Sequence, residues 1–207
     1  MLISGFDLFS LLCALPAILL AISVHEFSHA LAASKLGDDT AKVLGRLTLD
    51  PIKHIDPIGF IMLIVVGWGW TKPVPINPRK FKKMRRDEIL VSLAGPASNL
   101  VLATLAYLIL YLGQVVFGFY NEIFARIFYN LFLFNIVFMV FNLFPIPPLD
   151  GYHIFKNTFI RVIPYRFFMT YEQYGMFVLI ALVFTGAVSG IIVTVVNWIS
   201  SLYGLLL

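Results

Sequence analysis

Residues 8–34 form an apolar run of membrane length, and inside it lies His25-Glu26-Phe27-Ser28-His29. Such a run constrains the chain to a transmembrane helix, because about 20 apolar residues cross the hydrocarbon core and a helix satisfies its own backbone there. On that helix the two histidines project from one face a turn apart. Both imidazoles can therefore hold one zinc ion, with Glu26 in reach of a metal-activated water. A short motif can be accidental, and a histidine on an apolar helix is often only a hydrogen-bonded packing residue. Three ionisable groups at membrane depth, each costing roughly 2.5 to 3.5 kcal/mol, favour the metal site. The pattern points to zinc-dependent hydrolysis within a bilayer.

Composition agrees: 60% of the 207 residues are hydrophobic, 13% are charged, and the mean hydropathy is +0.90. That length suits a single integral domain over 1–207. The net charge of +4 does not indicate nucleic acid, because the basic residues sit in loops between apolar runs with no interleaved aromatic platform. Cys13 is the only cysteine, which excludes an internal disulfide and a Cys-rich zinc site and leaves His, Asp and Glu as ligands. The first 34 residues lack a basic n-region and are too long for a signal h-region, so they read as a permanent span, kinked at Pro16.

The expected fold is an all-α polytopic bundle of about four transmembrane helices, 8–34, 89–120, 127–144 and 173–207. The segment 57–70 is too short to span comfortably. Its glycines and β-branched residues, followed by Lys72-Pro73-Val74-Pro75, suit a hairpin or re-entrant element that dips into the membrane and returns. Charge supports the return. The loops 35–56, 71–88 and 145–172 then share one face with four, seven and three basic residues, against Arg126 alone opposite. The positive-inside rule makes that basic face cytoplasmic.

A catalytic zinc normally has three protein ligands and an open position. Asp150, at the end of Asn142-Leu143-Phe144-Pro145-Ile146-Pro147-Pro148-Leu149-Asp150-Gly151, is the strongest candidate for the third, because the returning topology brings it to the histidines' side. Asp-Gly after two prolines is also an ordinary turn signal. The ligand reading is preferred because this aspartate closes a long apolar run and no other acidic residue is better placed. Asn142 is either interhelical polar glue or a donor to the oxyanion of a tetrahedral intermediate.

With these residues in place the chain resembles the site-2 protease family of intramembrane zinc metalloproteases. The likeness rests on His25-Glu26-x-x-His29 and on Asn142-x-x-Pro145-x-x-x-Leu149-Asp150-Gly151. It extends to Gly45-Arg46-Leu47-Thr48-Leu49-Asp50-Pro51-x-Lys53-His54-Ile55-Asp56-Pro57-x-Gly59, to Lys72-Pro73-Val74-Pro75-Ile76-Asn77-Pro78 and to Ser92-Leu93-Ala94-Gly95-Pro96-x-Ser98-Asn99. The resemblance implies one zinc held by His25, His29 and Asp150, Glu26 as general base, and Asn142 near the scissile carbonyl. It implies a catalytic core over about 8–155 with an additional C-terminal helix over 173–207. The partners it implies are the lipid bilayer and transmembrane protein substrates, cut in or beside their spans. A chain of this length has no room for a PDZ or CBS module, so it looks like a minimal form, and the compact form suggests a prokaryotic plasma membrane.

An intact substrate helix hides its carbonyls, so a strand edge over 57–76 is expected to receive the unwound segment by β-augmentation. His54 reads as a gate, a substrate contact, an inhibitory ligand or a plain loop histidine. His153 reads as a group supporting the ligands or as a surface group. Gly95 and Asn99 read as helix packing with no chemistry required. Trp68, Trp70, Trp198 and Tyr203 read as interfacial anchors, and residues 80–86 as a solvated basic stretch. A metal transporter would place polar groups on several spans and often show internal repeats, and neither is found. A zinc-containing scaffold without activity is harder to separate. Substrate identity and oligomeric state are not legible.

Overall fold

The computed structural model describes residues 8–66 and 69–204, so the Trp68 reading lies outside the described residues. The elements are α1 (Leu8–Lys35), α2 (Thr40–Val43), α3 (Pro51–His54), α4 (Pro57–Val66), α5 (Met84–Tyr111), α6 (Glu122–Asn142), α7 (Asp150–Phe159), α8 (Tyr165–Phe184) and α9 (Ala187–Leu202). Among the described residues there is no strand, only an isolated bridge between Ile55 and Thr71. By length and composition, Phe9–Lys35, Met84–Val116, Glu122–Asn142 and Tyr165–Phe184 can each cross a membrane.

The centre is built from α1, α5 and α6. The buried face of α1 repeats at helical spacing, with Ala14, Ala17, Ile18, Ala21, Ile22, His25, Glu26 and His29 inward and Leu12 and Leu20 outward. Its inward residues are small at the opposite end from the motif. Ala17 meets Ala103 and Ala106 of α5 and Phe132 and Ile136 of α6 in one cluster. In lipid, where apolar burial gives little drive to associate, such small residues let helix backbones approach and gain dispersion contacts.

The segment 57–70 does return to the neighbourhood of its start, but its first limb is helical. Residues 57–66 form α4, and the chain comes back in extended form, with Lys72 N–H donating to the His54 carbonyl at 2.9 Å. The expected strand edge over 57–66 is therefore replaced by a helix. An isolated hairpin at membrane depth leaves its outer backbone groups unpaired, whereas a helix satisfies them within itself. The extended stretch that remains runs from about residue 69 to 77.

That return is tied to the end of α1 through Asp38, which is fully buried. Its carboxylate accepts from the backbone N–H groups of Asn77 (2.6 Å) and Thr40 (3.0 Å) and from the Thr40 hydroxyl, and Lys80 Nζ lies 3.5 Å away. Burial alone raises its pKa. The Asn77 and Thr40 hydrogen bonds outweigh that and hold it below the usual carboxylate range.

The C-terminal stretch differs from a single long span. It breaks into α8 and α9 at Thr185-Gly186, where Gly186 has φ +77°. Near the end of α8, Leu179 packs on Ile146 and Leu149, while Val196 and Ile199 of α9 join the central cluster. Tyr203 turns inward rather than to an interface, donating to or accepting from Thr104 Oγ1 at 2.7 Å and meeting the Tyr107 and Phe132 rings. Trp198 is exposed, as an anchor should be.

Because Asp38 is more acidic folded than unfolded, its contribution to stability is present above about pH 4 and is lost as pH falls through the folded value. The apparent melting temperature in detergent is expected to fall on acidification below about pH 4. Asp38→Asn is expected to start lower and to change less over that range; an unchanged wild-type acid profile in Asp38→Asn counts against this role.

Candidate metal centre

His25 and His29 lie within α1, and Asp150 is the first residue of α7. Their ligand atoms nevertheless form a nearly equilateral triangle. His25 Nε2 and His29 Nε2 are 3.0 Å apart, and Asp150 Oδ2 lies 3.1 Å from the first and 3.2 Å from the second. Both histidines are buried, at 6% exposure each. The i, i+4 spacing brings the imidazoles together. The short turn 143–149 between α6 and α7 brings the carboxylate, and Gly151 allows it, since a Cβ there falls 2.2 Å from the Leu143 carbonyl oxygen. The first turn of α7 also favours an anionic side chain through the unpaired N–H groups of the helix start.

The hydrogen bonds behind the rings decide what the triangle can bind. His25 Nδ1 is 2.6 Å from Asn99 Oδ1, and the Asn99 amide nitrogen donates to the Ala21 carbonyl and to Asn135 Oδ1, so the oxygen must face the histidine. His29 Nδ1 donates to the Val91 carbonyl at 2.7 Å. Both Nδ1 atoms carry the proton, which leaves both Nε2 lone pairs facing one another and a carboxylate oxygen. Three electron-pair donors at 3.0–3.2 Å are mutually repulsive without a cation between them. Two ligands about 2.0 to 2.1 Å from a zinc at the tetrahedral angle sit roughly 3.3 Å apart, so the donor set fits that ion. Among the described residues this is the group of His, Cys, Asp and Glu that could hold a metal.

Glu26 does not join the triangle. Its Oε1 accepts from the Thr71 hydroxyl at 2.9 Å and its Oε2 from the Val74 N–H at 3.1 Å, so the returning segment grips both oxygens. Asn142 ends α6 and lines the same cavity, with Nδ2 donating to the Phe138 carbonyl at 3.0 Å. That cavity, about 600 Å³, is walled by apolar side chains such as Ile22, Phe60, Leu63 and Phe138, with the histidines, Glu26 and Asp150 on one side. Trp70 lines it too, at 44% exposure.

His54 is not brought to the site: it is fully buried, with Nε2 2.8 Å from the Thr48 carbonyl. His153 lines the same cavity but stays outside the triangle, pairing with Glu88, another lining residue, across α7 and α5 at 3.1 Å. The packing reading of Gly95 and Asn99 was incomplete. Asn99 orients the His25 imidazole of the triangle, and a Cβ on Gly95 falls 2.4 Å from His29 Nε2 and 2.7 Å from His25 Nε2. In the sequence Asn99 stands out only as an amide four residues after a glycine inside an apolar span, which a packing role explains equally well.

Asn99→Ala is expected to weaken zinc binding by about 10- to 100-fold, the usual effect of losing a ligand's hydrogen-bond partner. Gly95→Ala is expected to reduce bound zinc more severely, because the methyl group occupies the space of the imidazoles. Metal titration against a competing chelator measures both, and wild-type affinity in both variants contradicts the assignment.

Comparison with known proteins agrees with this geometry. A model of peptidase family M50 matches residues 115–186. YwhC of Bacillus subtilis strain 168 is 43% identical over 175 residues, covering 81% of this chain and 78% of its own. Rip2 of Mycolicibacterium smegmatis is 31% identical over 189 residues, 87% of this chain and 70% of its own. MJ0611 of Methanocaldococcus jannaschii is 27% identical over 185 residues, 84% and 85% respectively. All three are named as zinc metalloproteases. No solved structure matches. The likeness over four-fifths of its length, the polytopic apolar helices and the zinc-fitting triangle together place this chain in peptidase family M50, the site-2 proteases, as a multi-pass intramembrane zinc metalloprotease.

Proposed function

We propose that this protein is a single membrane domain over 1–207, with its catalytic core in 8–155, that hydrolyses peptide bonds in or beside transmembrane segments of other membrane proteins. His25, His29 and Asp150 hold the zinc, Glu26 is the general base, and Asn142 assists at the scissile carbonyl. The observation that carries the reading is the pair of protonated Nδ1 atoms behind two Nε2 lone pairs that converge with Asp150 Oδ2.

When bound there, zinc activates water near neutral pH and polarises a carbonyl. Glu26 takes the proton from the attacking water and returns it to the leaving amine, at an oxygen released by Thr71 or Val74. Asn142 has two amide protons and spends one on Phe138, so the other is free to donate to the developing oxyanion. Apolar lining residues such as Ile22, Phe60, Leu63 and Phe138 lower the local dielectric, which strengthens each of these interactions.

Charge supports a cytoplasmic position for the zinc, because the loops 35–56, 71–88 and 145–172, all on the triangle's side, hold every lysine and arginine except Arg126. A prokaryotic plasma membrane fits the compact form and the microbial relatives. A substrate helix must open before its carbonyls are accessible, and the extended return at 69–77, several of whose residues line the cavity, is the segment it would lie beside.

Cleavage of a synthetic transmembrane peptide by purified protein in detergent tests the roles. Glu26→Gln is expected to keep one zinc per chain and lose about 100-fold or more in turnover. Asp150→Ala is expected to lose the metal as well. Wild-type turnover by Glu26→Gln defeats the base assignment, and chelator-resistant cleavage defeats the zinc mechanism.

A further inference from the structure

The two donors that hold Glu26 are separated in the chain only by Lys72 and Pro73. Pro73 has no N–H, so Lys72 supplies the one backbone donor between them. Both of its backbone groups are taken by the preceding loop: Lys72 N–H donates to the His54 carbonyl at 2.9 Å, and its carbonyl accepts from Arg46 Nη2 at 2.6 Å. That loop is itself braced. Asp50 caps α3 by accepting from Ile52 N–H at 3.0 Å, and the buried His54 ring reaches back to the Thr48 carbonyl.

Arg46 is the unexpected member. It is 8% exposed, its Nε has no partner, and among the described residues it makes no ion pair with a carboxylate. A buried cation without a counter-ion is a substantial penalty. The interaction it makes in return is a charge-assisted bond to the one carbonyl between Thr71 and Pro73.

We infer that Arg46 is a positioning residue for the general base: it clamps Lys72 so that Thr71 and Val74 hold the Glu26 carboxylate in register with the metal ligands. Arg46 touches neither zinc ligand nor cavity. The inference rests on the role proposed for Glu26. It predicts that loosening the clamp slows turnover without altering zinc content, since the triangle is built from other residues, and that kcat falls more than KM changes, because Thr71 and Val74 hold Glu26 as well as lining the cavity.

The test measures kcat, KM and bound zinc for Arg46→Met, Arg46→Lys, Thr71→Val and the double variant Arg46→Met with Thr71→Val, beside Glu26→Gln. Arg46→Met is expected to lose about 10- to 100-fold in kcat, the scale of a small misplacement of a reacting group, with zinc unchanged and any change in KM smaller than the loss in kcat. Arg46→Lys, which restores a charged donor, is expected to recover part of that loss. The double variant is expected to lose less than the product of the single losses, because both changes act through the same carboxylate. If Arg46→Met does not fold, Arg46→Lys, Thr71→Val and their double variant measure the same coupling. Wild-type kcat in Arg46→Met, a change in KM alone, or losses that multiply in full overturns the inference. Full turnover by Glu26→Gln removes the base assignment and the inference with it. An inactive Glu26→Gln beside a fully active Arg46→Met removes the clamp alone.

Discussion

Three lone-pair donors that meet at 3.0–3.2 Å inside a membrane-spanning bundle demand a cation, and the rest of the molecule is arranged around that demand. Two of the donors come from one helix and cost nothing in topology. The third lies 121 residues beyond His29, so α6 must end, and α7 must begin, beside the motif in α1. That requirement explains the tight turn at 143–149, the absence of a Cβ at 151 and the close packing of α5, which brings Gly95 against both imidazoles. Small residues elsewhere along α1 and α5 serve the same closeness by packing.

The polar groups behind the site form a graded hierarchy. Asn135 amide hydrogen bonds back to Leu131, its oxygen receives from Asn99, and Asn99 receives from His25, so each amide has its orientation dictated by the next. No member of this chain is ionisable except the histidine at its end. Neutral amides supply direction without adding a second buried charge to a region of low dielectric, where unpaired charge is most costly. Glu26, the proposed base, is held differently. It is held by donors from a loop rather than from a span, and a loop can yield one of them during reaction.

Part of this was legible in the chain and part was not, for identifiable reasons. The motif in α1 was readable because its spacing is local and its charge is anomalous at membrane depth. Asp150 was readable because positive-inside counting fixed which helix ends share a side. The role of Asn99 was not, since a contact 74 residues away leaves no local pattern and the same amide satisfies a packing explanation. The grip of Val74 on Glu26 uses a backbone N–H, which no residue type announces. The segment 57–66 was ambiguous because Pro-Ile-Gly-Phe-Ile-Met-Leu-Ile-Val-Val has strand-like composition, and only the lack of backbone partners in lipid turns it into a helix. Gly186 was a visible break in 173–207, outweighed by the apolar run on both sides of it.

The depth of the site follows from the same constraint. Lys35 ends α1 six residues after His29 and ten after His25, so at 1.5 Å per residue the imidazoles sit roughly 9 to 15 Å inside that end of the span. A purely apolar surround at that depth gives no path for the water that hydrolysis consumes. The returning segment resolves this: packed beside α1, it brings the backbone of Thr71 to Val74 to the level of Glu26, against a cavity that Glu88, Ser92 and Asn142 also line. Irregular backbone at membrane depth is tolerated only where protein or a water-lined cavity satisfies it, and here the same backbone that needs partners is the one that orients the base. The return of residues 69–74 beside α1 is therefore tied to the placement of Glu26 within the span.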